Sequence, residues 1–173
     1  MAVLGSPNYR VGLIIANAQP FHNGHLKILA DALMVCDEVI ISFRDYDNQF
    51  FDYNNNQHLV RTIFENLHTK IAMFGTEYDE TLGTPKHIIE RTLDKLEEAN
   101  YHLPTHFFTH YDHWIEPAKE LQLETIRVST LPNHNSDEIL QSIQDGTDFW
   151  KDKVPYSLID EVATIIATKN RNF

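Results

Sequence analysis

A doubly wound α/β fold, five parallel strands in one sheet with helices on both faces, is what this sequence predicts. Two observations carry that prediction. Short apolar runs recur along the chain between turn-forming residues, and between the runs apolar residues fall at helical spacing. The first two runs, VGLIIA at 11–16 and EVIISF at 38–43, bracket a helical pattern, and strand, helix and strand within about 33 residues form a βαβ unit with a right-handed crossover.

Each element follows from local chemistry. Residues 11–16, closed by Asn17 and Pro20, read as a buried strand, and Leu26, Leu29, Ala30 and Leu33 give the helix after it. A helix near 57–67 carries Leu59, Val60, Ile63 and Phe64, and the strand KIAMF follows at 70–74. Thr84 supplies an N-cap and Pro85 a first helical residue for a helix reaching Ala99. Residues 105–109 and 125–129 form two more strands around a short helix near 117–121. Ser136 is the expected cap of a helix ending at Gly146, and Leu158, Ile159, Val162, Ile165 and Ile166 mark a last helix. The polar, aromatic stretch DYDNQFFDYNNNQ at 45–57 is too long for a tight turn and is expected to be a loop over the ligand site.

With 173 residues, 42% of them hydrophobic and spread along the whole length, the chain can bury one sizeable core, so residues 1–173 are expected to form a single domain. No repeat, low-complexity tract or linker interrupts it. The one cysteine, Cys36, excludes an internal disulfide and is expected to be a small core residue. No stretch approaches the roughly 18 apolar residues of a membrane span, and the start lacks the features of a secretory signal, so a cytoplasmic protein is expected. The formal charge of −11 argues against broad binding to nucleic acid. A phosphate site would have to be local, built from backbone amides, a helix N-terminus, a few cations and a metal ion.

The stretch QPFHNGH, 19–25, lies where such a site belongs. His22 and His25 fall between the carboxyl end of the first strand and the first turn of the next helix, where open sheets bind ligands. The helix end offers unpaired N–H groups and partial positive charge, imidazoles can donate hydrogen bonds to phosphate oxygens, and Gly24 lets a nucleotide approach the backbone.

This stretch resembles the HxGH signature of the nucleotidyltransferase superfamily, relatives of class I aminoacyl-tRNA synthetases, and its Gln-Pro-Phe lead-in is most similar to nicotinamide mononucleotide (NMN) adenylyltransferases of the archaeal and bifunctional bacterial types. Weaker similarity runs through ILQSIQDGTDFWKDKVP at 139–155. The resemblance implies a Rossmann-like fold and transfer of AMP from ATP, with Mg²⁺, onto a nucleotide 5′-phosphate. With NMN the products are NAD and pyrophosphate. It casts His22 and His25 as the catalytic phosphate-holding pair, with Asn17, Gln19, Phe21, Gly24 and Ser136 around the nucleotide. No covalent nucleophile is required, because in-line phosphoryl transfer needs positioning and charge neutralisation.

In HFFTHYDHW at 106–114, His106 and His110 lie about 13 Å apart on a strand at about 3.3 Å per residue, too far to chelate one ion, so no protein metal site is expected. Trp114 and His110 follow the strand's carboxyl end and are the candidate acceptor-binding residues, Trp114 by stacking on a base or nicotinamide ring.

Two departures from the family matter. Asn17 stands where relatives carry an arginine before the first histidine, and NSDEIL at 135–140 puts Leu140 where the second signature, Ser-x-Thr-x-x-Arg, has its arginine. Asp137 and Glu138 add negative charge at that helix start. Arg44 and His134 are the candidate replacement cations, and positive charge carried by histidine would make the site sensitive to rising pH. Three readings follow: an NMN adenylyltransferase; a nucleotide-binding sensor or partner protein that has lost transfer; and an adenylyltransferase with another acceptor. The partners expected are ATP and a small phosphorylated acceptor, with no nucleic acid or membrane, and a homo-oligomer is compatible with the sequence.

Overall fold

The computed structural model describes residues 8–65, 70–77 and 83–172. Five strands, β1 (Val11–Ala16), β2 (Glu38–Asp45), β3 (Ile71–Glu77), β4 (His106–Thr109) and β5 (Glu124–Arg127), form one parallel sheet in the order β3-β2-β1-β4-β5. The chain runs outward from β1 to β3, returns to lay β4 beside β1, and continues to β5. Because parallel crossovers are right-handed, that reversal sends the connecting helices to opposite faces.

Alternation along the strands divides the core accordingly. Ile14, Ala16, Val39, Ile41 and Phe43 face one layer, formed by α1 (Asn23–Val35), α2 (Tyr53–Ile63), α5 (Ser136–Gln144) and α6 (Ile159–Arg171). Val11, Leu13 and Ile40 face the other, where α3 (Pro85–Glu98) and α4 (Ile115–Glu120) lie. Cys36 caps the end of α1 from a buried position, and burial pushes its thiol up to about 11. Among the described residues no helix is long and apolar enough to cross a membrane.

The predicted elements are present, with three corrections. The helix expected near 57–67 begins at Tyr53, capped by Asp52, whose side chain accepts from the Asn55 N–H while the Asn55 side chain accepts from the Asp52 N–H. It ends at Ile63, and the expected residues 66 and 67 lie outside the described residues. The supposed loop over the site is therefore largely a buttress: Phe51 is fully buried, and buried Asn56 accepts from the Phe21 N–H and donates to the Ala18 carbonyl at 2.9 and 3.0 Å. The cap of α5 is Asn135, which accepts from the Asp137 N–H, and not Ser136. Thr84 and Pro85 open α3 as the sequence predicts.

Candidate functional site

The carboxyl ends of β1 and β4, the two strands at the topological reversal, open into a cavity of about 450 Å³, within the usual range for small-molecule sites. Asn17, His22, Gly24 and His25 line one side, Arg44 and the stretch Phe107–Tyr111 with His113 and Trp114 another, and Thr130, Leu131 and residues His134–Asp137 at the start of α5 a third. Nine of the sequence-predicted residues thus meet on one cavity: Asn17, His22, Gly24, His25, Arg44, His110, Trp114, His134 and Ser136.

Gln19 and Phe21 do not line it. The Gln19 amide donates to the Phe51 carbonyl and accepts from the Phe51 N–H, at 2.7 and 3.1 Å, and Phe21 is buried in the core with His25 stacked 5.6 Å from its ring. Both shape the segment that carries the histidines. Leu140 also lies off the cavity wall, packed against the core, so an arginine there would start from the wrong face.

His22 is the N-cap of α1: its Nδ1 accepts from the Gly24 N–H at 3.0 Å. A capping box completes the turn, since His25 Nδ1 accepts from the His22 backbone N–H at 3.3 Å. Gly24 owes its identity to this packing, because a Cβ there would come within 2.7 Å of His22 Cε1. The first turn of α1 carries no acidic residue, so the positive end of its dipole faces the cavity uncompensated, although the Asn23 N–H donates to the Lys153 carbonyl at 2.8 Å and the Gly24 N–H to His22.

Burial, reinforced for His22 by His25, His134 and His110, pushes that imidazole far below its ordinary range, and burial with His110 nearby pushes His25 down to about 3. Both are neutral near pH 7. Positive charge carried by histidine at this site therefore does not reside on these two rings, which keep neutral N–H groups. Burial, then Arg127, lowers His110 as well.

On the opposite wall Trp114 is only 6% exposed, with Phe107 stacked at 6.0 Å and the Arg44 guanidinium 5.3 Å from its ring centroid. It is a wall shared with the core, and the exposed rings of Tyr111 and His113 are the more open aromatic surfaces. Sequence reasoning passed over both, although they lie between His110 and Trp114 in the quoted segment. Among the described residues Arg44 is the one guanidinium and Asp137 the one carboxylate on the cavity wall. No three His, Cys, Asp or Glu residues among the described ones gather into a metal site.

No curated protein sequence matches the chain. Among solved structures it is similar to a bifunctional NMN adenylyltransferase/ADP ribose pyrophosphatase from Francisella tularensis complexed with AMP and a manganese ion, at 16% identity and a TM-score of 0.65 over 93% of this chain and 52% of that one. It also resembles a NadR protein in complex with NAD and AMP-PNP, at 14% identity and a TM-score of 0.59 over 87% of this chain and 46% of the other. A third is pantoate-beta-alanine ligase from Francisella tularensis complexed with beta-gamma ATP and beta-alanine, at 14% identity and a TM-score of 0.50 over 95% and 81%. The chain spans about half the length of the first two. At these identities the likeness establishes the fold. The family model for the citrate lyase ligase C-terminal domain matches residues 11–131, which hold the whole sheet and the histidine-bearing start of α1, and the chain therefore belongs to the citrate lyase ligase C-terminal domain family.

Proposed function

We propose that this single domain is a nucleotidyltransferase: the cavity takes ATP with its phosphates at the start of α1, and AMP passes to an acceptor oxygen with release of pyrophosphate. One observation carries the reading. The helix N-terminus that faces the cavity at the reversal of strand order has no acid in its first turn, and the half-buried His25 stands beside it. In the reaction an acceptor oxygen forms a bond to the α-phosphorus and the bond to pyrophosphate breaks. The positive end of the α1 dipole and the His25 N–H would stabilise charge on the phosphate oxygens, and Arg44 would face the acceptor side.

The donor set suits Mg²⁺ brought in on a triphosphate, since such an ion is commonly held by one or two carboxylates plus phosphates and Asp137 supplies one. Bound there, it would offset the phosphate charge. NMN is the first acceptor to test, giving NAD. The family's description speaks of a ligase, so carboxylic acids belong beside NMN and other phosphate monoesters.

The experiment is a panel of these acceptors with ATP and Mg²⁺, read by pyrophosphate release and product mass, beside a calorimetric titration of ATP. NAD formation supports the NMN reading. Turnover on another acceptor keeps the chemistry and replaces the acceptor. A nucleotide-binding sensor or partner protein is a second reading, favoured by the single guanidinium that the described residues place on the cavity wall, where relatives are expected to carry more. Tight ATP binding without turnover on any acceptor would select it.

A further inference from the structure

The two histidines of the motif do not stand in equivalent surroundings. The His22 Nδ1 accepts from the Gly24 N–H, so in the neutral ring the proton sits on Nε2, and Nε2 lies 3.1 Å from the Ser136 Oγ. The Ser136 hydroxyl in turn donates to the Asn17 carbonyl at 3.0 Å. A serine has one O–H, so towards His22 its oxygen must accept. The chain of donors runs one way: Gly24 N–H to His22, His22 Nε2–H to Ser136, Ser136 O–H to the Asn17 carbonyl.

Both ring nitrogens of His22 are thereby used within the protein, and the relay ties the end of β1, the start of α1 and the start of α5 to one another. Asn135 makes this arrangement available, since it caps α5 and leaves the Ser136 hydroxyl for the relay. The ring is seated firmly: it is 4% exposed, and Gly24 leaves it room that any Cβ would take.

His25 differs. Its Nδ1 accepts from the His22 backbone N–H, so its proton too is on Nε2, and among the described residues no protein group accepts from that Nε2. The ring is half-buried, stacked on Phe21, and on the cavity wall.

We infer that the pair divides its labour: His22 is a positioning residue that clasps α5 to α1 through Ser136, and His25 is the member that donates a hydrogen bond to a bound phosphate. The identity of the ligand rests on the function proposed above; the clasp does not.

Long-range ¹H–¹⁵N NMR of the imidazoles separates the two parts. In ligand-free protein His22 should show a protonated Nε2 with a slowly exchanging proton, and that slow exchange should be lost in Ser136→Ala and kept in Ser136→Thr. A rapidly exchanging His22 Nε2 proton in the wild type overturns the clasp. On adding ATP with Mg²⁺, or pyrophosphate, the His25 Nε2 resonance should move while that of His22 keeps its position. Calorimetry should find ATP binding weakened about tenfold or more in His25→Ala, in line with a hydrogen bond to a charged group. His22→Asn, which keeps a side chain favoured at N-caps, should weaken it by no more than about threefold while lowering Tm. Equal shifts at the two histidines, or equal losses in the two variants, would make both of them donors and overturn the division. Absence of binding by both ATP and pyrophosphate would remove the donor role of His25 together with the proposed function, with the ligand-free spectrum still deciding the clasp.

Discussion

The two ends of the sheet use histidine in opposite ways. At the amino ends of the strands, His102 lies 2.7 Å from Glu38, which also accepts from the Tyr9 hydroxyl, and His106 lies 3.1 Å from Glu124. At the carboxyl ends, His22, His25 and His110 take part in no ion pair among the described residues, and burial holds all three below the ordinary imidazole range. One end pairs its imidazoles with carboxylates and ties strands together. The other end keeps carboxylates off the cavity wall, apart from Asp137 among the described residues, and keeps neutral imidazole N–H groups around the cavity. In a chain of net charge −11 this leaves the cavity wall with few acids and, among the described residues, Arg44 as its one guanidinium.

The largest effect that would test this contrast is at His25. If the carboxyl-end imidazole stabilises charge developing in transfer, His25→Ala should slow pyrophosphate release by about 10² or more, the usual effect of removing one preorganised donor. Near-wild-type turnover in a variant whose circular dichroism is unchanged would break the comparison. Asn56 tests the brace beneath the same end. It is buried and serves the Phe21 N–H and the carbonyls of Ala18 and Phe51. Each buried group left unpaired costs about 1–3 kcal/mol, so Asn56→Ala should lose about 2–4 kcal/mol in urea unfolding. A loss under about 1 kcal/mol would mean that the segment 18–21 holds itself.

A third prediction concerns pH. His25 is held in the fold down to about 3, below its ordinary 6.5, so the unfolded chain binds the extra proton. The stability it contributes is complete above about pH 6.5 and is lost as pH falls towards 3. Between pH 6.5 and 5 the wild-type Tm should fall more steeply than that of His25→Gln; parallel curves would show that the ring is charged in the native state. The smallest effect belongs to the amino end. Glu124 is exposed, so Glu124→Gln should change stability by about 0–1 kcal/mol, as solvent-exposed pairs do, and shift ATP affinity by less than twofold. A larger change in affinity would join the two ends that the comparison separates.

Much of the fold was legible because its signals are local. The Thr84-Pro85 start of α3 and the alternation of β1 and β2 depend on neighbours a few residues away. The start of α2 was missed because its first turns, YNNNQH, are polar, while the apolar pair Leu59 and Val60 comes only later; the Asp52–Asn55 capping box was the available clue. The site was legible to the extent that a strand-to-helix junction and a reversal of strand order mark one place in the sheet, and nine of the eleven candidate residues gather there. Gln19 and Phe21 face the core and not the cavity, which motif membership could not show because it does not say which way a side chain faces.

Residue order alone was enough for the strands, most helix boundaries, the acidic balance and the position of the histidine pair at a helix start, since periodicity, caps and charge are properties of short segments. Which nitrogen of which histidine remains for a ligand required the fold, because the acceptor of the His22 proton is Ser136, 114 residues away, and that serine is available only because Asn135 caps α5 in its place. Proton positions and desolvation are set by whatever surrounds a group in space. That is why the two histidines, alike in the sequence and three residues apart, are unlike in the folded protein.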